Sequence, residues 1–176
     1  MGVSCGGDDV LSAKIFWIAG PWPGRLGIVP RPRGADWLDD DTRAWRDAGI
    51  DVVVSLLEPA EEAELDLSRE STSSTASGLE FRSFPISDLG VPKSREAVAE
   101  LMGDLVAALR ASKSVVLHCR QSIGRSGLVA ATVLVSGGHS AHAAIDAVRQ
   151  ARGVDVPETH AQRQWIADFA AWLARA

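Results

Sequence analysis

The chain has 176 residues, 46% of them hydrophobic and 23% charged, with a formal net charge of −5. That length suits one domain able to bury a core without disulfides or metals, and the acidic balance argues against a dedicated nucleic-acid binder. Two cysteines, Cys5 and Cys119, make no disulfide framework and point to a reducing compartment.

Residues 1–12 read as a flexible tail and 13–176 as a single domain. Cys5 sits in that tail (MGVSCGGDD) as a free thiol. The same segment misses a myristoylation signal, because Gly6 stands where Ser or Thr is required. With no signal-peptide pattern and no apolar run of about 18 residues, the expectation is a soluble, cytoplasmic, monomeric protein with no membrane partner.

Ile15–Ala19 (IFWIA) predicts a first strand, and the following PWPGRLGIVPRPRG is too rich in Pro and Gly for regular structure throughout. Asp36–Ala48 predicts a helix with Leu38, Trp45 and Ala48 inward and Gly49 as its stop. Ile50–Leu57 (IDVVVSLL) is a β-branched run expected of a central strand. A short acidic helix over Glu58–Leu67 follows, then a polar loop over Ser68–Gly78 (SRESTSSTASG) and an alternating strand over Leu79–Phe84. Lys93–Arg110 places Val98, Leu101, Met102, Leu105 and Leu109 at helical spacing, and Ser114–Leu117 is a short buried strand. Ser126–Val135 is apolar on all sides, as in a helix buried in mid-domain, with Gly137 and Gly138 as its stop. Ser140 caps a helix ending at Arg152 and Gly153. Pro157 suits a first helical turn, after which Trp165, Ile166, Phe169, Trp172 and Leu173 form an inward stripe.

Strands separated by helical crossovers imply an α/β fold, a mainly parallel central sheet flanked by helices on both faces. Sites in such folds form beyond the carboxyl ends of the strands. Three loops leave those ends: from Glu58 onward, Pro85–Pro92, and Cys119–Arg125.

The last of these carries the chemistry. VVLHCRQSIGRSGLVAA places His118, Cys119, five intervening residues, Arg125 and Ser126 on a strand–loop–helix. A Cys and an Arg at this spacing is weak by itself; His before and Ser after make it specific. A loop of this length curls so that the N–H groups of Arg120, Gln121, Ser122, Ile123 and Gly124 point at one centre, an anion nest. The helix beginning near Arg125 adds its positive end. The planar fork of Arg125 matches two phosphate oxygens at once. The same field favours the thiolate of Cys119, the nucleophilic form. An acid must then sit beside the leaving oxygen, and Asp88 (FPISDLGVP) stands on the correct sheet edge.

These residues resemble the protein tyrosine phosphatase superfamily, in its compact dual-specificity and cyclin-dependent-kinase-associated branch, over a span from about Ile15 to the C-terminus. The resemblance implies two steps: thiolate attack on phosphorus, then hydrolysis of a cysteinyl-phosphate. It implies no metal or other cofactor. By position, Cys119 would be the nucleophile, His118 would orient the loop, Arg125 would bind the phosphoryl oxygens, and Ser126 would help the sulfur leave. Asp88 agrees with the acid of the branch, in a Pro-flanked loop upstream. Gln162 matches a water-positioning Gln of some relatives, although Glu158 replaces the first Gln of their pattern; the other reading is an exposed helix residue.

One departure stands out: Ser122 occupies a loop position usually held by Gly. A positive φ there would be strained. Further from the loop, Glu58 reads first as an ordinary helix N-terminal carboxylate and second as a buttress for Arg125, and Arg25, Arg31 and Arg33 form either a basic rim or solvated loop arginines. His139, His142 and His160 lack metal-ligand spacing. The expected partner is a phosphorylated protein or peptide. The alternatives are a non-protein phosphate ester (a phosphoinositide or an RNA 5′ end), which the lysine-free loop disfavours, a sulfur-transfer domain, or a non-catalytic phosphate-binding module.

Overall fold

Two apolar runs organise the molecule. In the computed structural model, which describes residues 13–176, β3 (Val52–Ser55) and β5 (Ser114–His118) pair in parallel at the centre of the sheet. Both are buried on both faces, which is why their sequences are continuous apolar runs rather than alternations. β4 (Glu80–Ser83) extends the sheet in parallel beside β3. On the other side β2 (Arg25–Ile28) lies parallel to β5, and β1 (Phe16–Ile18) closes that edge antiparallel to β2. The order is β1-β2-β5-β3-β4.

Helices cover both faces. α1 (Leu38–Asp47) and α3 (Glu70–Ala76) take one; α4 (Arg95–Arg110), α5 (Gly124–Ser136), α6 (Ala141–Arg152) and α7 (His160–Leu173) take the other, and α2 (Pro59–Glu64) follows β3 at the carboxyl edge. The pleat divides the core between them. Val52, Val54, Val115, Leu117 and Cys119 join the cluster under α4–α7, whereas Val53 and Val116 pack with Trp45, Ile50 and Leu79 on the α1 side. Every residue of α5 from Gly124 to Val135 is buried, as a central helix demands. The α/β expectation with a mainly parallel sheet is met. Among the described residues no helix is long and apolar enough to cross a membrane. Cys5 and the near-miss myristoylation signal lie outside the described residues.

The Pro- and Gly-rich segment after the first strand is irregular over most of its length, as expected, and contains β2, which Gly24 precedes, donating to the Leu109 carbonyl at 2.9 Å. Any Cβ on Gly24 would lie 2.5 Å from that same oxygen. Three other local expectations need correction. The Ser/Thr-rich segment after α2 is a helix, α3, not a loop. Such residues compete with the helical backbone in isolation, but here Ser73 Oγ bonds Asp39 Oδ1 at 2.6 Å and Thr42 Oγ1 meets Ser77 Oγ at 3.0 Å. Packing on α1 overrides the local tendency. Leu38 and Trp45 point inward from α1 as expected, but Ala48 is its exposed C-cap and Thr42 takes the buried place. Finally, α7 does not start at Pro157. Its N-cap is Thr159, whose hydroxyl accepts from the Gln162 N–H at 3.1 Å, while Gln162 Oε1 accepts from the Thr159 N–H at 3.2 Å.

That reciprocal cap fixes the start of α7 next to the strand ends. Thr159→Ala should cost about 0.5–2 kcal/mol of stability in urea unfolding; a loss below that range would mean that packing of α7, not its cap, sets the start.

Candidate active site

β5 ends at His118 and α5 begins at Gly124, so the loop from Cys119 to Ile123 stands at the carboxyl edge of the sheet. Alternation along β5 sends consecutive side chains to opposite faces. Cys119 faces α5 in the larger core cluster and is 3% exposed. His118 faces the other way, fully buried, with the Trp45 ring centroid 6.0 Å from its own. Its Nε2 lies 2.6 Å from Oε1 of Glu70, itself 1% exposed, on α3. Beside this pair the Glu62 carboxyl is pushed up, first by burial and then by the charge of Glu70.

Arg125, in the first turn of α5, is 1% exposed. Its Nη1 donates to Glu61 Oε2 at 2.6 Å and to the Ile86 carbonyl at 2.9 Å; Nη2 donates to Glu61 Oε1 at 2.9 Å and lies 3.2 Å from Asp88 Oδ1. Burial pulls the guanidinium pKa down, but the Glu61 hydrogen bonds and the field of a Cys119 thiolate raise it overall. It stays a fixed cation. Asp88 is largely exposed, and the next residue, Leu89, takes φ +58 while its N–H donates to Asp88 Oδ1 at 3.0 Å. Asp88, Leu89, Cys119, Arg120, Arg125 and Glu158 are among the residues that line one small cavity of about 50 Å³. A cysteine at the base of a cavity, a locked guanidinium and an exposed carboxylate are what phosphoryl transfer through a thiolate requires.

The family model "Polymorphic toxin system, DSP-PTPase phosphatase" matches residues 28–139, a span that includes the whole loop and Asp88. The chain belongs to this phosphatase family. As a DSP-PTPase phosphatase it is similar to cyclin-dependent kinase inhibitor 3 of Rattus norvegicus, 33% identical over 99 residues. That alignment covers 55% of this chain and 46% of the relative. The Homo sapiens counterpart is 35% identical over 92 residues, 51% of this chain and 43% of that one. The chain thus spans less than half the length of these curated relatives. Among solved structures, kinase associated phosphatase with serine in place of its catalytic-site cysteine superposes at TM-score 0.83. At 23% identity, over 93% of this chain and 97% of that one, the match shows the shared fold. The active form of Tk-PTP is 29% identical, with TM-score 0.69 over 84% of this chain and 92% of that one. The DSP-PTPase family model thus agrees with the resemblance to the tyrosine phosphatase superfamily.

The other expected residues of this DSP-PTPase fall as follows. Ser122 does take positive φ, +55, a strain of roughly 1–2 kcal/mol for a residue with a side chain. The Ser126 hydroxyl is fully buried and, among the described residues, has no hydrogen-bond partner. Gln162 is buried, so it is not an exposed helix residue. Its Nε2 donates to the Gly90 carbonyl at 3.1 Å, tying α7 to the loop of Asp88. Arg120 reaches back to Glu64 at 2.8 Å, and Gln121 lines the cavity.

Two suggestions fail. Glu58 does not buttress Arg125: it caps α2 and accepts from Ser87 Oγ at 2.9 Å, and Glu61, one helical turn on, takes the role. The basic rim is not formed either. Arg25 pairs in register with Ser114, at the opposite end of β5 from Cys119. Arg33 is held by Asp41 at 2.6 Å, and Arg31 and Arg33 line a separate cavity. Sequence reasoning missed Glu61 and Glu70. The first was legible as the acid three residues after an N-cap before Pro, a capping box; the second had no signal, since it lies in a segment read as a loop.

The Glu61 carboxyl is held below its ordinary value of 4.5 by hydrogen bonds from Arg125, against the opposing effect of burial. Its contribution to native stability is therefore full above that ordinary value and is lost as the pH falls through the depressed one. Unfolding free energy of the native sequence should fall more steeply between about pH 5 and pH 3 than that of Glu61→Gln. Parallel curves would show that the pair adds no pH-dependent stability.

Proposed function

We propose that the chain hydrolyses phosphotyrosine, with phosphoserine and phosphothreonine as a further class, in phosphorylated proteins or peptides through a cysteinyl-phosphate intermediate. The observation that carries the reading is the meeting of Cys119, Arg125 and Asp88 around one small cavity, with Asp88 Oδ1 3.2 Å from Arg125 Nη2. The Cys119 thiolate attacks phosphorus along the axis opposite the leaving oxygen. Arg125 and the loop N–H groups stabilise the charge spread over the equatorial oxygens. Asp88 gives its proton to the departing oxygen, so that an alcohol or phenol leaves rather than its anion. A water molecule then loses a proton to Asp88 as it attacks the phosphocysteine; inorganic phosphate leaves and the thiolate returns. Ser126, whose buried hydroxyl is uncommitted among the described residues, donates toward the sulfur in this second step. His118 positions Cys119 from below, and Gln162 is the candidate to orient the water.

The rest of the loop favours a monoester over a polyanionic lipid headgroup. Between Cys119 and Gly124 only Arg120 is cationic, and Glu64 neutralises it at 2.8 Å.

Cys119→Ser should retain binding of orthovanadate while turnover of p-nitrophenyl phosphate falls below about 1% of the native rate, because the nest and Arg125 act independently of sulfur. Higher residual turnover would mean another nucleophile. Asp88→Asn keeps the side-chain shape and removes the transferable proton. It should slow phosphotyrosine hydrolysis by about 10²–10⁴-fold and hydrolysis of a fluorinated coumarin phosphate far less. Equal slowing on both substrates would make Asp88 structural.

A further inference from the structure

Ser122 is the point in the phosphate loop where glycine is usual, and it is 2% exposed with φ +55. A side chain in that region persists only where its surroundings hold it. Two contacts do so, one on each side. The Ser122 hydroxyl donates to the Val29 carbonyl at 2.5 Å, just beyond the end of β2. The Ser122 carbonyl accepts from Nε of Arg152 at 2.8 Å, at the last residue of α6.

Arg152 is placed for this contact and for little else. Its guanidinium lies 4.0 Å from the Phe16 ring centroid, and Gly153, at φ +69, turns the chain away immediately after it. Phe16 belongs to β1, where it pairs in register with Ile28, the residue before Val29. β1 and β2 thus seat both arms: Phe16 carries Arg152, and Val29, just past β2, receives Ser122. Among the described residues no carboxylate pairs with Arg152. Burial lowers its pKa, and the charge that opposes this is a thiolate at Cys119. Among the described residues the side-chain hydrogen bond of Arg152 goes to the loop itself.

We propose that Arg152 is a positioning residue for the phosphate loop: with the Val29 carbonyl it holds Ser122 in the left-handed conformation and so keeps the loop in the curl that receives a phosphoryl group. This rests on the phosphatase reading above. Neither Arg152 nor Val29 touches the substrate. Their effect passes through the backbone at Ser122, where a relaxed φ would rotate neighbouring amides away from the anion. Glycine occupies positive φ without a Cβ penalty, so a loop with Gly at this position does not need the clamp. That difference makes the role measurable.

The test compares orthovanadate inhibition, KM and kcat for p-nitrophenyl phosphate in four proteins: native, Arg152→Met, Ser122→Gly and the double variant. Methionine keeps an unbranched stem on Phe16 and removes the donor. Arg152→Met should raise the vanadate inhibition constant and KM roughly tenfold in the Ser122 protein, but by no more than about threefold in the Ser122→Gly background, where the strain is gone. An equal effect in both backgrounds, or none in either, overturns the clamp. Should Arg152→Met not fold, Arg152→Lys keeps the charge and answers the same question: weaker inhibition restored by Ser122→Gly upholds the proposal, and a native inhibition constant overturns it. The native protein separates this idea from its premise. Hydrolysis with vanadate inhibition that ignores Arg152 sinks the clamp alone, whereas absence of vanadate binding in the native protein sinks both.

Discussion

A guanidinium in the interior must be paired, and the strand ends of this protein are arranged around that requirement. Arg125 is 1% exposed; an unpaired charge there would cost several kcal/mol, and removing one partner of such a pair typically costs about 3–5 kcal/mol. Glu61 answers with two hydrogen bonds, the Ile86 carbonyl adds a third, and Asp88 closes the ring at 3.2 Å. These partners come from α2 and from the loop after β4, while Arg125 comes from α5. One guanidinium therefore joins the three chain segments that build the cavity, and its partners leave Arg125 with no freedom to reorient. Preorganisation of this kind is where most electrostatic catalysis originates.

The loop itself rests on both faces of the sheet. Cys119 faces the α5 side, and its neighbour His118 faces the α3 side, where Glu70 holds the imidazole at 2.6 Å. The pair secures the residue before Cys119 against rotation and gives a helix made largely of Ser and Thr a buried partner there. On the far side of the loop, Ser122 is pinned between β2 and α6. A segment of five residues is thus fixed at the residue before it, at its fourth position and at the start of α5. A chain so constrained can keep a strained residue buried.

The relatives fit this division. Kinase associated phosphatase shares the fold at 23% identity. That is possible because apolar positions under a parallel sheet tolerate exchange when volume and pattern are kept. Ser122 shows how a positive-φ position, which favours glycine, can hold a side chain when hydrogen bonds fix it.

The sequence by itself determined the α/β class, the central strands, the order of most helices, and the set Cys119, Arg125 and Asp88. Each of these is written locally, in hydrophobic period, in capping residues, or in a motif whose spacing is the length of one loop. What it could not determine were pairings between distant segments. The helix of α3 exists because it packs on α1 and over His118, against its own Ser and Thr propensity. β2 exists because Gly24 admits a close backbone approach to Leu109. Glu61 rather than Glu58 meets Arg125, since Glu58 is taken up by the cap of α2 and by Ser87, and Arg152 meets Ser122 across thirty residues of chain. Local sequence encodes which residues are able to carry a charge, a curl or a strand. Which of them are brought within hydrogen-bond distance is decided only when the sheet and its two helical layers exclude water together, because only then does an unpaired polar group carry its full cost.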